Sequence, residues 1–278
     1  ISMFCNDVSL ILKIKDGSKK VLEVHFSRFK RLQYGRKGLW GIVDRWRSGN
    51  DVRLADKFDA FVVLTKEDSG YWNTDNIRYI PNARTFENVN PASLDNKKVI
   101  TVGRYSYQKG YDLLIKVWDK VHKHCPDWAL DIVGDGEDRE KLQKMIDDLN
   151  LAGSVCLKHS TPQITQEYQN ASIVALSSRY EGLPMILLEA QTFGLPIVSF
   201  KCKCGPIDVI TDGVDGYLVD EGDTKGMADR IITLIKDVEL RKAMGRVARE
   251  SSERYSEEMI MRQWVDLFNE LCGSQKGQ

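Results

Sequence analysis

Val99-Ile-Thr-Val102, Leu130-Asp-Ile-Val133 and Ile173-Val-Ala-Leu176 decide the fold. Each is a short, mostly apolar and largely β-branched run. Between the first two, residues 112–125 carry Leu113, Leu114, Val117, Trp118 and Val121 at helical spacing. After the second, Leu142, Met145, Ile146 and Leu149 repeat that pattern. Residues 155–157 read as a further strand, and Thr161-Pro162 as the N-cap and first-turn proline of a short helix through Tyr168. Residues 185–193 predict a helix and residues 197–200 a strand. After a turn at Gly205-Pro206, residues 217–219 predict another strand. Apolar strands this short, alternating with helices, are covered on both faces, which gives a parallel sheet. Residues 91–255 are therefore predicted to form one doubly wound α/β domain.

Outward from this core the pattern is thinner. In residues 1–90, Val21-Leu-Glu-Val24, Phe61-Val-Val-Leu64 and Ile77-Arg-Tyr-Ile80 are strand-like, and Pro, Asn and Ser cluster from Pro81 to Asp95 as a linker. That is too little for a complete α/β domain but suits the second half of one. The chain is accordingly expected to lack the start of an N-terminal domain. In residues 256–278, Ser256 with Glu257 and Glu258 reads as the cap of a helix. Its Ile260, Trp264, Leu267, Phe268 and Leu271 form an apolar face, expected to pack back toward the N-terminal domain.

Composition bounds the function. The 278 residues are 42% hydrophobic and 29% charged, with 40 basic and 40 acidic side chains, which excludes disordered and collagen-like chains. Zero formal charge removes any whole-chain argument for nucleic acid, so no such partner is expected. The balance is nevertheless uneven. Residues 13–47 hold eleven Lys/Arg and three Asp/Glu, net +8, leaving 29 basic and 37 acidic residues, net −8, elsewhere. Such a strip suits an anionic membrane surface or phosphate, and a solvated basic face without a partner is the competing interpretation. The six cysteines are scattered without zinc spacing, so no metal site is expected, and Cys202-x-Cys204 reads as reduced thiols in a loop. No signal peptide or membrane-crossing stretch is visible, and a cytoplasmic setting is expected.

Ligands of open parallel sheets bind beyond the C-terminal strand ends, so the loops there carry the chemistry. Gly103-Arg-Tyr-Ser-Tyr-Gln-Lys109-Gly110 offers flexible backbone and two cations at a helix start, suited to an anionic ligand but in the wrong order for a Walker loop. Gly134-Asp-Gly136-Glu-Asp138 lacks the third glycine of a dinucleotide fingerprint, and its acids would repel a pyrophosphate. Ser177-Ser-Arg-Tyr-Glu181-Gly-Leu-Pro-Met185 leads into a helix whose apolar run is broken by Glu189. A glutamate there carries a burial cost unless something binds it. On an unbroken helix the two carboxylates would lie roughly 12 Å apart, too far to flank one glycosidic bond at ~5 Å. They suit different parts of one elongated ligand.

In order and spacing, Gly103-Arg104 with Lys109-Gly110, Ile132-Val-Gly134-Asp-Gly136, Glu181-x7-Glu189, Gly194-Leu-Pro196-Ile-Val198, Gly205-Pro206 and Gly216-Tyr-Leu-Val219 resemble the family-4 glycosyltransferases, over about residues 58–270. The resemblance implies the GT-B architecture, two Rossmann-like domains facing across a cleft. It implies a retaining hexosyltransferase that moves a hexose from a nucleotide-diphosphate sugar, UDP-linked, to a glycan or lipid-linked acceptor. It places that reaction in the biosynthesis of cell-surface polysaccharide, capsule or lipopolysaccharide, at the inner face of the membrane. Gly103, Arg104 and Lys109 would bind the donor diphosphate, with the two cations replacing a metal, so no cofactor is implied. Glu181 and His25 would be catalytic. Gly182, Leu183, Pro184 and Met185 would hold the sugar, Glu189 the ribose, and Lys158, His159 and Ser160 the nucleobase. Leu183-Pro184 stands where relatives have Phe-Gly, Leu157-Lys158-His159 where they have Phe-x-Gly, and Asp208 where glutamate is usual. A GT-B sugar-nucleotide epimerase and an inactive nucleotide-sugar-binding relative share these features.

Overall fold

In the computed structural model, which describes residues 2–3, 8–30 and 38–273, the chain builds two parallel sheets. The first is formed by β1 (Ser2–Met3), β2 (Val21–Val24), β3 (Ala60–Val63) and β4 (Ile77–Tyr79), in that spatial order. Around it lie α1 (Val8–Ile11), α2 (Gly38–Ala55) and α3 (Lys66–Ser69). The second sheet begins with β5 (Lys98–Val102), followed by α4 (Tyr111–His124), β6 (Ala129–Val133), α5 (Arg139–Asp148) and β7 (Val155–Lys158). It continues through α6 (Ile164–Gln169), β8 (Ile173–Leu176), α7 (Met185–Thr192), β9 (Ile197–Phe200), α8 (Pro206–Val209) and β10 (Gly216–Val219). Helices α9 (Thr224–Lys236), α10 (Val238–Ser252) and α11 (Glu257–Gly273) close the chain.

The strand order of the second sheet is β10-β9-β8-β5-β6-β7, all parallel. The chain thus starts in the middle, runs out through β6 and β7, and returns to the other side of β5 at β8. Both faces are covered, as the continuous apolar strands require. Alternate residues point to opposite layers. Val99, Leu130, Ile132, Ile173, Ala175, Val198 and Phe200 pack with Trp118 of α4 and Ile231 of α9, while Ile100, Val133, Val174, Leu176 and Ile197 pack with α7.

The first sheet sorts its residues the same way. Leu22, Val24, Phe61 and Val63 pack with Val8, Phe58 and Trp72, whereas Val21, Ala60, Val62 and Ile80 receive Ile260, Leu267 and Leu271 of α11. The last helix therefore crosses from the second sheet to the back of the first. Arg78 on β4 meets Glu270 there at 2.5 Å. Burying a leucine of this kind is worth about 2 kcal/mol, so α11 ties the two halves more firmly than any surface ion pair.

Carboxylates stitch the halves together on the opposite side. Glu67 of α3 accepts the Cys204 amide at 2.8 Å, and its own amide donates to Asp208 of α8 at 3.1 Å. Asp68 is buried and accepts the Arg28 amide (2.7 Å), the Trp72 indole (2.9 Å) and the Cys204 thiol (3.4 Å). Burial raises its carboxyl above the usual range, against the pull of those bonds. Cys202 and Cys204 are unpaired thiols, both buried, and burial pushes both well above the ordinary thiol range. Cys5 lies outside the described residues.

One local expectation needs correcting. Helix α6 starts at Ile164 with Gln163 at its N-cap, so Thr161-Pro162 precede it. The Thr161 hydroxyl instead accepts the Gln163 amide at 3.1 Å and closes a turn. Gly110 sets the entry to α4. Its φ is 64°, and a Cβ there would lie 2.1 Å from the Ser177 carbonyl oxygen. Gly110→Ala is expected to destabilise the chain by about 3 kcal/mol, read as a lower midpoint in urea unfolding.

Candidate active site

The reversal of strand order between β5 and β8 creates a switch point, and the two loops leaving it diverge around a crevice. The loop after β5, Gly103 to Gly110, and the loop after β8, Ser177 to Pro184, are bonded to each other. The Arg179 amide donates to the Gln108 carbonyl at 2.8 Å, the Ser177 hydroxyl to the Lys109 carbonyl at 2.9 Å, and the Gln108 amide group to the Tyr180 carbonyl at 3.0 Å. Arg179 holds Asp112 at the start of α4 through both guanidinium nitrogens, at 2.9 and 2.7 Å. Its guanidinium also stands 4.1 Å from the Tyr107 ring centre. The two loops are thus bonded directly to one another.

At their meeting point Lys109 Nζ lies 2.8 Å from Glu181 Oε1, which also accepts the Ser178 hydroxyl at 2.6 Å. Glu181 is 7% exposed, so its charge is held out of water against this partner. Gly182 next to it reaches the first half. A Cβ on Gly182 would stand 2.8 Å from the His25 carbonyl oxygen, so only glycine lets the two halves close here without movement. His25, Phe26, Lys30, Gln108, Tyr180, Glu181, Gly182 and Leu183 line a cavity of about 260 Å³ between the halves.

A larger cleft of about 500 Å³ lies on the other side of Lys109. Gly103, Arg104, Gly134, Asp135, Ser160, Thr161, Ile164, Thr85, Phe86 and Glu189 line it. Glu189 has both oxygens occupied: Tyr168 donates to one at 2.6 Å and Thr85 to the other at 3.0 Å. Tyr168 is fully buried and stacks on Phe193 at 5.2 Å. Burial first, and then the Glu189 charge, push its phenol well above the ordinary range, so it remains a donor at neutral pH. That answers the burial cost of a glutamate in an apolar helix.

Three expectations change. Arg104, Lys109, Glu181 and Glu189, expected on one elongated ligand, do not line a single hollow: Glu181, with His25 opposite, lines the smaller space, and Arg104 and Glu189 line the larger. Lys109 sits between them, drawn to the buried Glu181, and its Cε would lie 3.1 Å from a Cβ on Gly103. Arg104 is well exposed and meets Glu137 at 3.1 Å instead of lying beside Lys109. Lys158 does not face the larger cleft. Its ammonium bridges Asp131 at 2.9 Å and Glu167 at 2.7 Å; those bonds outweigh the effect of burial and raise it to about 12. Ser160 does line that cleft. Its amide and hydroxyl donate to Asp135 at 2.9 and 2.5 Å, and His159 meets the same carboxylate at 2.5 Å. Asp135, read in the sequence as hostile to phosphate, is thus occupied in folding the loop after β7.

Leu183 and Pro184 are buried at the start of α7, with Pro184 as the N-cap residue. Met185 receives a contact from the Asn82 amide group at 3.6 Å. The sequence did not mark Tyr168, Thr85, Gln108 or Ser178. Tyr168 reads as the end of a short amphipathic helix, and Thr85 as one polar residue in a linker. Only their meeting with Glu189 gives them a role. Among the described residues no three His, Cys, Asp or Glu side chains are grouped to hold a metal ion.

A doubly wound parallel sheet with a cation, a carboxylate and a helix start at its switch point is an arrangement suited to a phosphorylated ligand. Residues 82–251 match the family Glycosyl transferases group 1, and the chain belongs to that family. It is 34% identical over 227 residues to the amylovoran biosynthesis glycosyltransferase AmsD of Erwinia amylovora, covering 78% of this chain and 63% of the relative. It is 33% identical over 224 residues to the poly(ribitol-phosphate) alpha-N-acetylglucosaminyltransferase of Staphylococcus aureus, covering 78% of this chain and 45% of that one. The chain thus spans about half to two thirds of the length of these relatives. A crystal structure of TarM from S. aureus with fondaparinux, alpha-GlcNAc-glycerol and UDP superposes with a TM-score of 0.79 at 29% identity, covering 91% of this chain and 51% of TarM. The two-sheet architecture is the GT-B fold.

His25 offers a local test. Its Nε2 lies 3.2 Å from Glu23, and that bond raises the imidazole above 6.5 despite partial burial. A folded-state value above the unfolded one means the pair stabilises the chain below about pH 6.5 and loses that effect as pH rises through the folded value. The expected NMR titration midpoint of His25 lies above 6.5 and falls in Glu23→Gln.

Proposed function

We propose that the protein is a retaining, metal-independent glycosyltransferase. It moves a hexose from a UDP-linked donor to a glycan or lipid-linked acceptor in the biosynthesis of cell-surface polysaccharide. The observation that carries this is the Lys109–Glu181 pair, 2.8 Å apart, joining the two switch-point loops between two clefts. A diphosphate entering at Gly103 meets the exposed Arg104 and the Lys109 ammonium, both of which favour charge that grows as UDP departs. Exposed Arg104 can leave Glu137 at little cost, because surface pairs are worth at most about 1 kcal/mol.

The ribose hydroxyls reach Glu189, whose carboxylate is oriented by Tyr168 and Thr85. The nucleobase enters beside Ser160 and Thr161, which share the larger cleft with Glu189. The sugar lies toward Glu181 and the amides at the start of α7, with His25 across the smaller cleft as the residue nearest the acceptor side. Glu181 is tied by three side chains, Lys109, Ser178 and Gln108, which suits stabilisation of a cationic sugar carbon better than free nucleophilic attack. Retention is supported by the family-4 pattern of these residues. The acceptor class is supported by the relatives, of which one acts in amylovoran biosynthesis and another on poly(ribitol phosphate). The acceptor would be met at the cytoplasmic face of the membrane, toward which the basic stretch 13–47 is drawn; its Arg31, Arg36 and Lys37 lie outside the described residues. No described helix is long and apolar enough to cross a bilayer.

Calorimetry of UDP with the intact protein in excess chelator tests the donor grip. Binding is expected to persist, and Lys109→Ala and Arg104→Ala are each expected to weaken it about tenfold to a hundredfold. Unchanged affinity in both variants would contradict the assignment. Glu181→Gln is expected to slow transfer by about 10²–10³, and NMR of the product should show the anomeric configuration of the donor.

A further inference from the structure

Helix α2 is turned inside out relative to an ordinary surface helix. Its buried positions are Gly41, Asp44, Ser48, Asp51 and Ala55, so its two carboxylates face inward. Arg28 serves that inner face, bonding the Ser48 hydroxyl beside the charge of Asp51. The outer face carries Leu39 (80% exposed), Trp40 (63%), Ile42 (57%) and Trp46 (64%). Leu39, Ile42 and Trp46 fall three and four residues apart, on one stripe. Arg45, Arg47 and Arg53 are exposed among them, and no acidic residue of α2 is. Neither cleft of the candidate active site includes a residue of this helix.

We propose that the outer face of α2 docks on an anionic phospholipid surface, with Trp40 and Trp46 at headgroup level and Arg45, Arg47 and Arg53 on lipid phosphates. The charge decides the partner. Apolar groups interleaved with arginine and free of acids match a negatively charged interface, where indole rings partition and each cation adds about 1 kcal/mol, roughly fivefold. A second copy would bring the same three arginines against themselves. Because the arginines share the apolar side, the helix lies shallow and does not insert deeply. The inference rests on the membrane-side placement proposed above and sharpens it, since a basic stretch alone would give charge attraction without insertion.

The test is partition of the intact protein onto phosphatidylcholine vesicles with and without phosphatidylglycerol, followed by tryptophan emission and co-sedimentation. Binding with a blue shift is expected only when phosphatidylglycerol is present. Trp40→Ala with Trp46→Ala should lower the partition coefficient more than tenfold and abolish the shift. Arg45→Gln with Arg47→Gln should lower it roughly thirtyfold and remove most of the salt dependence. Salt-sensitive binding without a blue shift, indifferent to the tryptophans, would overturn the assignment to α2 while leaving charge attraction by residues 13–47 intact. A lipid-free dimer broken by the tryptophan variants would overturn it in favour of a second copy. UDP affinity is measured alongside and should not move, which separates this outcome from failure of the transfer proposal.

Discussion

Lys109 and Glu181 meet at 2.8 Å where the second sheet changes direction, and the rest of the site is arranged around that contact. Parallel order alone makes a switch point; it does not hold two long loops together across it. Here Ser177, Arg179 and Gln108 bond loop to loop, and Gly110 lets the Ser177 carbonyl approach where any side chain would collide. A buried carboxylate without its ammonium would be costly by several kcal/mol. The pair therefore keeps both loops in register and leaves a cation at the boundary of the two clefts. A phosphate competing for Lys109 would reach Glu181 through the same side chain, which is the coupling the proposed donor binding calls for.

The halves are joined by unlike means at their two ends. Behind the first sheet the contact is apolar, with Ile260, Leu267 and Leu271 of α11 against Val21, Ala60 and Val62. Near the clefts it is polar, with Glu67, Asp68, Cys204 and Asp208 sharing backbone and side-chain bonds. The hydrophobic contribution is non-directional, whereas short hydrogen bonds demand a particular geometry. Beside the smaller cleft the halves approach so closely that a Cβ on Gly182 would meet the His25 carbonyl oxygen.

Much of this was legible in the residues. Short apolar runs located all six strands of the second sheet to within a residue, because a strand covered on both faces has little freedom in composition. The Arg/Lys loop, with its exposed Arg104, became specific only through the family resemblance, whereas Glu189 was legible for a different reason, since a charged group in an apolar helix demands a partner. The partners themselves were not. Tyr168 and Thr85 are 83 residues apart in sequence and converge only on Glu189. Lys158 looked available for a nucleobase because Asp131, on the neighbouring strand, and Glu167 are invisible as its partners until the sheet is assembled. The inverted polarity of α2 was equally hidden, since its sequence does not say which face meets Arg28.

A crystal structure of the protein with UDP tests the central claim most directly. The account places the pyrophosphate at Gly103 with Lys109 Nζ and the Arg104 guanidinium on its oxygens, the ribose on Glu189, and Glu181 still held by Ser178. A nucleotide bound away from the β5–β8 switch point, or a Lys109 that keeps its Glu181 contact and ignores the phosphates, would contradict it.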